Sequence, residues 1–317
     1  MHPAFSVIFF TTASGAGYGM LATLGFYAGH DALPQNVWFS ITSMVVALGL
    51  VTAGLLSSTF HLGHPERAWR AFSQWRTSWL SREGVAALLA YIPACAFGLA
   101  WVFPALEWPA RILGPLMIPF ALGTLFTTAM IYRSLKTIHA WHNKWVVPCY
   151  LVLGPMTGAV FVLALSAGFG VTLKFLAAFS GALLAAGLVV KWLYWTFIDS
   201  TSAASTPATA TGLSGTGPAV DVKSVEWPHT EANYVMKEMG FAVARKHAQK
   251  LRGIAIWLGF MVPAILIESS VMLPLPQLSF LAIPAAVLMA VGIVVERWLF
   301  FAQARHVVTL FYGAKSA

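Results

Sequence analysis

Charge is what this sequence has least of. Asp, Glu, Lys and Arg make up 9% of its 317 residues, against about 25% in a typical soluble domain. So little charge cannot cover the surface of a globular enzyme of this length. There are only two cysteines, Cys95 and Cys149, and both lie in apolar runs. That excludes a secreted disulfide scaffold and argues against a zinc finger, a haem-attachment motif or a cysteine-ligated cluster. No phosphate-binding glycine loop, dinucleotide fingerprint or nucleophile triad is present. The histidines nearest a span, His61 and His306, both fall at one membrane edge, so no haem is expected and no metal site is predicted.

Long apolar runs are what is there. A bilayer span takes roughly 20 mostly apolar residues. Residues 1–30, 32–65, 84–106, 112–132, 145–173 and 269–295 contain no Asp, Glu, Lys or Arg. Two shorter runs end at Lys191 and Glu268 and extend to span length. The reading is an all-α integral membrane protein, a bundle of eight transmembrane helices at about 5–27, 38–60, 83–104, 112–133, 146–169, 174–198, 253–273 and 278–302. Their interiors are rich in Gly, Ala, Ser and Thr, which lets membrane helices approach closely. Trp38, Trp79, Trp108, Trp145, Trp195 and Trp298 fall near span ends, as an aromatic belt requires. The first segment has no basic flank and too long an apolar run for a signal peptide.

The basic balance, 19 Lys and Arg against 11 Asp and Glu, belongs to topology. With eight spans, every Lys and Arg except Arg111 and Lys174 falls on the side that holds both termini. Positive residues mark the cytoplasmic side, so both termini are expected there and nucleic acid is not expected as a partner. The sequence reads as a six-helix unit over 1–198, a connection over 199–252 and a two-helix unit with a tail over 253–317. The connection opens Ser/Thr/Ala/Pro-rich like a flexible linker. From Thr230 to Arg252 it turns helical, with Tyr234, Met239, Phe241 and Val243 among basic residues. That stretch fits a helix on anionic lipid headgroups or a docking element for a soluble partner.

Ionisable groups at the membrane are where chemistry is sought. They concentrate between spans two and three, in His61, Gly63, His64, Pro65, Glu66, Arg67, Trp69, Arg70, Trp75, Arg76, Trp79, Arg82 and Glu83. His61 ends one span and Glu83 begins the next, so both reach one depth. Histidine titrates near neutral pH, and a carboxyl taken partly out of water moves towards that range. Such a pair suits proton exchange with a quinone headgroup. Plainer readings stand beside this. His61 fits an interfacial histidine bonded to a backbone carbonyl. Glu83 fits the first turn of a helix capped by Ser81. Gly63 and Pro65 fit helix-end punctuation, and the arginines fit positive-inside residues. His139 and His142 have ligand-like spacing without an accompanying carboxylate or thiolate. Glu268 reads as interfacial. Glu296 and Arg297 read as a pair ending the last span.

The pattern Phe60-His61-Leu62-Gly63-x-Pro65-x-Arg67-Ala68, followed by Ser78-x-Leu80-Ser81-x-Glu83, resembles the membrane-anchor subunit family of DMSO-reductase-type molybdoenzymes. The stretches Lys237 to Ala248 and Arg297 to His306 resemble the branch of quinone-linked sulfite dehydrogenase anchors. The resemblance implies a complex of three subunits in a bacterial inner membrane. Its molybdopterin catalytic subunit and iron–sulfur subunit sit on one face and hold the molybdenum cofactor and the clusters. The anchor carries no metal and exchanges electrons with ubiquinone or menaquinone. His61 and Glu83 match the family's quinone-site positions, and Gly63, Pro65, Arg67, Trp69, Arg70 and Trp79 complete the expected pocket. At His64 the sequence departs from relatives with a small polar residue, and no role is assigned. Combined with the charge asymmetry, the resemblance implies sulfite oxidation on the cytoplasmic face with quinone reduction. The alternatives are a quinol-oxidising anchor of a DMSO, N-oxide or other sulfur-compound reductase, a structural anchor without its own quinone site, and a transporter. A transporter should show inverted repeats and broken midplane helices, and neither is evident here.

Overall fold

The computed structural model describes residues 4–103, 107–171, 173, 175–203, 205–213, 222, 226, 243–272, 280–312 and 314. Eight helices are long and apolar enough to cross a membrane. They are α1 (Phe5–Gly29), α2 (Val37–Ser57), α3 (Trp79–Val102), α4 (Glu107–Arg133), α5 (Val146–Gly168), α6 (Leu176–Ser200), α7 (Ala248–Met272) and α8 (Ala282–Ala302). Among the described residues there is no strand. The fold is the all-α membrane bundle expected from the charge-free runs.

Four helix starts differ from the sequence reading by four or five residues: α4 begins at Glu107 rather than 112 and α8 at Ala282 rather than 278, and the other two are α3 and α7. α3 begins at Trp79 rather than 83, because Ser78 and not Ser81 is its N-cap. The Ser78 hydroxyl accepts the Ser81 amide at 3.4 Å, while the Ser78 amide returns to the Gln74 carbonyl at 2.9 Å. Glu83 therefore lies beyond the first turn, and the helix-dipole explanation for it falls. α7 begins at Ala248 rather than 253, because Lys250 and Arg252 are helical residues ahead of the apolar run. The Thr230–Arg252 docking helix lies outside the described residues as far as 242.

α1 is the central helix, packed on α2, α4, α5 and α8. Its composition allows this. A Cβ at Gly17 would overlap Val51 and the Ala47 carbonyl on α2. One at Gly19 would overlap the Gly154 carbonyl on α5, and one at Gly25 the Gly114 carbonyl on α4. Small residues let backbones meet where lipid supplies no hydrophobic drive. Several buried hydroxyls on the spans return to their own helix, as Ser14 does to Phe10 O at 2.6 Å and Thr157 to Leu153 O at 3.0 Å. That satisfies polar groups where no water is available.

Two apolar clusters form the interior. One joins α1, α2, α3, α4 and α5, and the other joins the ends of α1 and α4 to α5, α6, α7 and α8. The second is aromatic, with Tyr132, Trp141, Tyr150, Phe300 and Phe301 within ring contact. Within α7 a π-helical turn, Trp257–Met261, precedes Pro263. Proline cannot return an N–H to the preceding turn, and a widened turn accommodates the gap. Here it also brings Gly259 against Gly292 of α8.

Candidate functional site

The N-terminal ends of α1 and α3, the C-terminal ends of α2, α4 and α8, and the 134–145 connection converge at one end of the bundle. Between them lies a cavity of about 730 Å³. This is within the usual range for small-molecule pockets, roughly 300–1,000 Å³.

Its wall is built locally by the connection from α2 to α3. Ser57 donates to Ser6 O at 2.8 Å and fixes the end of α2 on the start of α1. A 3-10 turn, Ser58–His61, follows, and Leu62 extends the backbone. Pro65 then opens a 3-10 segment over Pro65–Gln74, where its fixed φ suits the first position. Gly84 lets this segment lie on α3, since a Cβ there would meet the Phe72 ring at 2.9 Å. Arg82 closes the connection by donating to Trp75 O at 2.9 Å and Arg76 O at 2.6 Å, while stacking over Trp79 at 4.3 Å.

Glu83 is the buried acid of the cavity. It is 5% exposed, and Thr128 of α4 donates a hydrogen bond to its Oε1 at 2.5 Å. Leu80, Ala87 and Leu88 of α3 and Ile131 of α4 make the surrounding wall apolar. One turn after Thr128 on α4, Tyr132 meets Trp141 edge-on at 5.4 Å and Phe301 at 5.3 Å, and all three line the cavity. Trp141 is held by its indole N–H, which donates to Phe300 O at 2.9 Å. The mouth carries His64 and Arg67, with Glu66 between them at 3.1 and 3.6 Å. These three are well exposed, so their pairing contributes little stability.

The structure brings Gly63, Arg67 and Glu83 to the cavity, together with His64. His61 ends the 3-10 turn whose Ser58 and Thr59 line the same cavity, as does Leu62 after it. The His61 side chain lies outside the described residues. Pro65, Trp69, Arg70 and Trp79 are not among the lining residues. Pro65 starts the 3-10 segment, Trp69 is exposed with Arg70 over its ring at 5.7 Å, and Trp79 packs edge-on to Phe126 at 6.0 Å. Sequence reasoning missed Thr128, Tyr132, Trp141 and Phe301. Thr128 and Tyr132 are one turn apart near the end of α4, a spacing that marks one helix face, but nothing in the sequence says that α3 and the cavity lie there.

His139 and His142 do not act together. His139 Nε2 meets Thr201 Oγ1 at 2.8 Å, and His142 Nδ1 meets the Arg133 carbonyl at 2.5 Å. Burial, and secondarily the neighbouring His142, lowers the pKa of His139. Among the described residues no three His, Cys, Asp or Glu side chains gather as metal ligands.

The whole chain resembles known anchor subunits. It is 34% identical to a sulfite dehydrogenase subunit of Allochromatium vinosum, over 98% of this chain and 99% of that protein. It is 27% identical to the anaerobic dimethyl sulfoxide reductase chain YnfH of Escherichia coli, over 58% of this chain and 66% of the relative. It is 28% identical to a second anaerobic dimethyl sulfoxide reductase chain of the same organism, over 49% and 55%. The model of the family "DMSO reductase anchor subunit (DmsC)" matches residues 1–314. With its eight spans and this match across nearly its full length, the chain belongs to the DMSO reductase anchor subunit family.

Proposed function

We propose that the cavity receives the headgroup of a membrane quinone and that Glu83 exchanges protons with it. The observation that carries this reading is the Glu83 carboxyl, buried in an apolar cavity and held by Thr128. An ionisable residue inside a membrane bundle is costly and marks function by default. The cavity fits a quinone: flat apolar and aromatic walls for the ring, with few polar groups to orient its oxygens. A quinone takes up two electrons and two protons on becoming a quinol. In this reading Glu83 passes a proton to a ring oxygen, and His61, which ends the 3-10 turn, exchanges protons with water. The rings of Tyr132, Trp141 and Phe301 exclude water from the inner wall.

The electrons come from partner subunits, as membership of an anchor family implies. We assign an iron–sulfur subunit, and beyond it a molybdopterin catalytic subunit, to the Lys- and Arg-rich face at the cavity mouth. By the positive-inside rule this face and both termini are cytoplasmic, and the bacterial relatives support a bacterial inner membrane. Sulfite oxidation with quinone reduction is the favoured reaction, supported by the full-length relative named as a sulfite dehydrogenase subunit. The second reading reverses the flow, with quinol oxidised to serve a sulfoxide reductase. It is supported by the two relatives named for dimethyl sulfoxide reductase, which match half to two thirds of their length.

The test is quinone reduction by the intact membrane complex with sulfite as donor, in the natural protein and in His61→Ala and Glu83→Gln. A soluble artificial acceptor is assayed in parallel. The expected result is loss of quinone reduction with the artificial acceptor unaffected. Normal quinone reduction in both variants would sink the site assignment. No oxidation of sulfite with either acceptor would sink the substrate.

A further inference from the structure

Three charged side chains are buried deeper in the bundle, behind the cavity. Lys191 of α6 is 1% exposed, and Glu296 and Arg297 of α8 are 1% and 3%. The Lys191 ammonium lies 2.6 Å from Glu296 Oε1, and Arg297 Nε lies 3.7 Å from Oε2 of the same carboxylate. Two cations and one anion leave a formal charge of plus one. Stability does not explain this group. Taking charges out of water is expensive, and well-packed apolar side chains of similar volume serve a fold equally well or better.

The position of the group suggests a use. The Arg297 guanidinium lies 4.2 Å over the Tyr150 ring, and Tyr150 stacks on Tyr132 at 5.9 Å. Tyr132 lines the cavity, and so does Phe301, one turn after Arg297 on α8. Two stacked rings, Tyr150 and Tyr132, therefore separate the Arg297 guanidinium from the cavity. Among the described residues two further charged groups are placed by their contacts. On the far side of the buried group Trp195 separates Lys191 from Arg252, which is paired with Asp199 in a bidentate bridge at 2.5 and 2.9 Å and is formally neutral with it. Glu83 and Arg67, of opposite formal charge when ionised, also line the cavity.

We propose that Lys191, Glu296 and Arg297 form a buried positive centre that acts through the Tyr150–Tyr132 wall and favours anionic ligands in the cavity. This rests on the reading of the cavity as a quinone site. The three residues touch no ligand and are positioning residues. Their fixed field stabilises negative charge on a quinone ring oxygen, so that charge arriving with an electron is tolerated until Glu83 supplies a proton. Preorganised charge in a dry site works this way because it needs no rearrangement when the reacting charge appears.

The experiment measures binding to the intact complex of two probes, a hydroxynaphthoquinone that is ionised at neutral pH and its neutral methyl counterpart. Glu296→Gln raises the formal charge of the group to plus two, and Arg297→Gln lowers it to zero. The anionic probe should bind tighter to Glu296→Gln and weaker to Arg297→Gln. Each change should be about tenfold, as a unit charge at roughly 10 Å in an effective dielectric of about 20 implies. The neutral probe should change less than about twofold on the same reckoning. Structural damage would move both probes, or both variants, in one direction, and that result overturns the proposal. If the single variants do not assemble, the triple replacement of Lys191, Glu296 and Arg297 by Leu removes the charge and keeps an apolar core. It should weaken the anionic probe alone, and unchanged selectivity there overturns the proposal while leaving the quinone site intact. If neither probe binds the natural complex, the quinone reading fails and the proposal falls with it.

Discussion

Thr128 on α4 donates its hydroxyl hydrogen to Glu83 on α3 across 2.5 Å, and its own oxygen sits 2.9 Å from the Thr124 carbonyl one turn earlier. With one hydroxyl hydrogen to give, Thr128 serves either acceptor, and the buried carboxyl competes for it with the carbonyl of the helix itself. Removing one partner of a buried hydrogen bond costs about 1–3 kcal/mol. Thr128→Val should therefore lower quinone turnover by about tenfold or more, while Thr128→Ser keeps most of it. Turnover with a soluble acceptor should be equal in all three. A valine variant with natural quinone turnover would show that the bond does not orient a working acid.

The crossing of α1 and α5 depends on glycines facing each other. A Cβ at Gly19 would occupy the place of the Gly154 carbonyl, and one at Gly158 the place of the Gly19 backbone. Gly19→Leu should lower the thermal unfolding temperature of the detergent-solubilised protein sharply, since overpacking costs about 1–3 kcal/mol even where side chains can move, and here the obstacle is backbone. Gly15→Ala is the control, because nothing lies within 4 Å of the added carbon. Equal unfolding temperatures for the two variants would refute the packing argument.

His306, just past α8, should act as a local pH-dependent clasp. Its Nδ1 accepts the Val308 amide at 3.0 Å, which needs the unprotonated ring, and burial lowers its pKa below the ordinary histidine value of 6.5. The sign follows from linkage. The group binds protons less readily folded than unfolded, so its contribution is full above about pH 6.5 and is lost as pH falls below it. The Val307 amide, bonded to Thr137 O at 3.0 Å, anchors the same turn to the connection that carries Trp141. Amide exchange at Val307 and Val308, corrected for its intrinsic pH dependence, should be several-fold less protected at pH 5 than at pH 7.5. His306→Gln should remove that dependence.

The sidedness assigned above has a direct check. A reporter active only outside the cytoplasm should be silent when fused within the 134–145 connection. It should be active when fused at Phe169 or Gly170, which follow α5 at the opposite end of the bundle. The reverse pattern would place the cavity mouth on the other side of the membrane.

The spans were legible because their signal is local. A run without charge states its own length, and the observed helix ends lie within about a turn of those expected for most of the eight. Where boundaries slipped, the reason was also local. Trp79 and Leu80 are apolar enough to continue α3 upstream of the two charges that suggested a later start, and a serine one turn earlier supplies the cap. The site was half legible. Glu83, Arg67 and Gly63 sit in one short stretch, and their neighbourhood needs no tertiary knowledge. Tyr132, Trp141 and Phe301 come from three further elements, and an aromatic on an apolar helix looks alike whether it faces lipid or a cavity. Trp69, Arg70 and Trp79, also expected in the pocket, do not line this cavity. Trp69 and Arg70 share the cluster's sequence but are turned outward by the 3-10 segment.

The pairing of Lys191 with Glu296 bears on how the protein is made. About a hundred residues separate the two along the sequence. A ribosome working at roughly 5–20 residues per second completes α6 several seconds before α8 exists. During that interval the nascent helix holds a lysine whose partner has not been synthesised, nine residues from the helix end at Ser200. Its long aliphatic stem can reach the headgroup layer meanwhile, so α6 is best stored at the rim of the growing bundle and drawn inward when α8 arrives. Assembly of this membrane protein thus waits on its last span, and truncation ahead of α8 should leave a lysine stranded and the fragment short-lived.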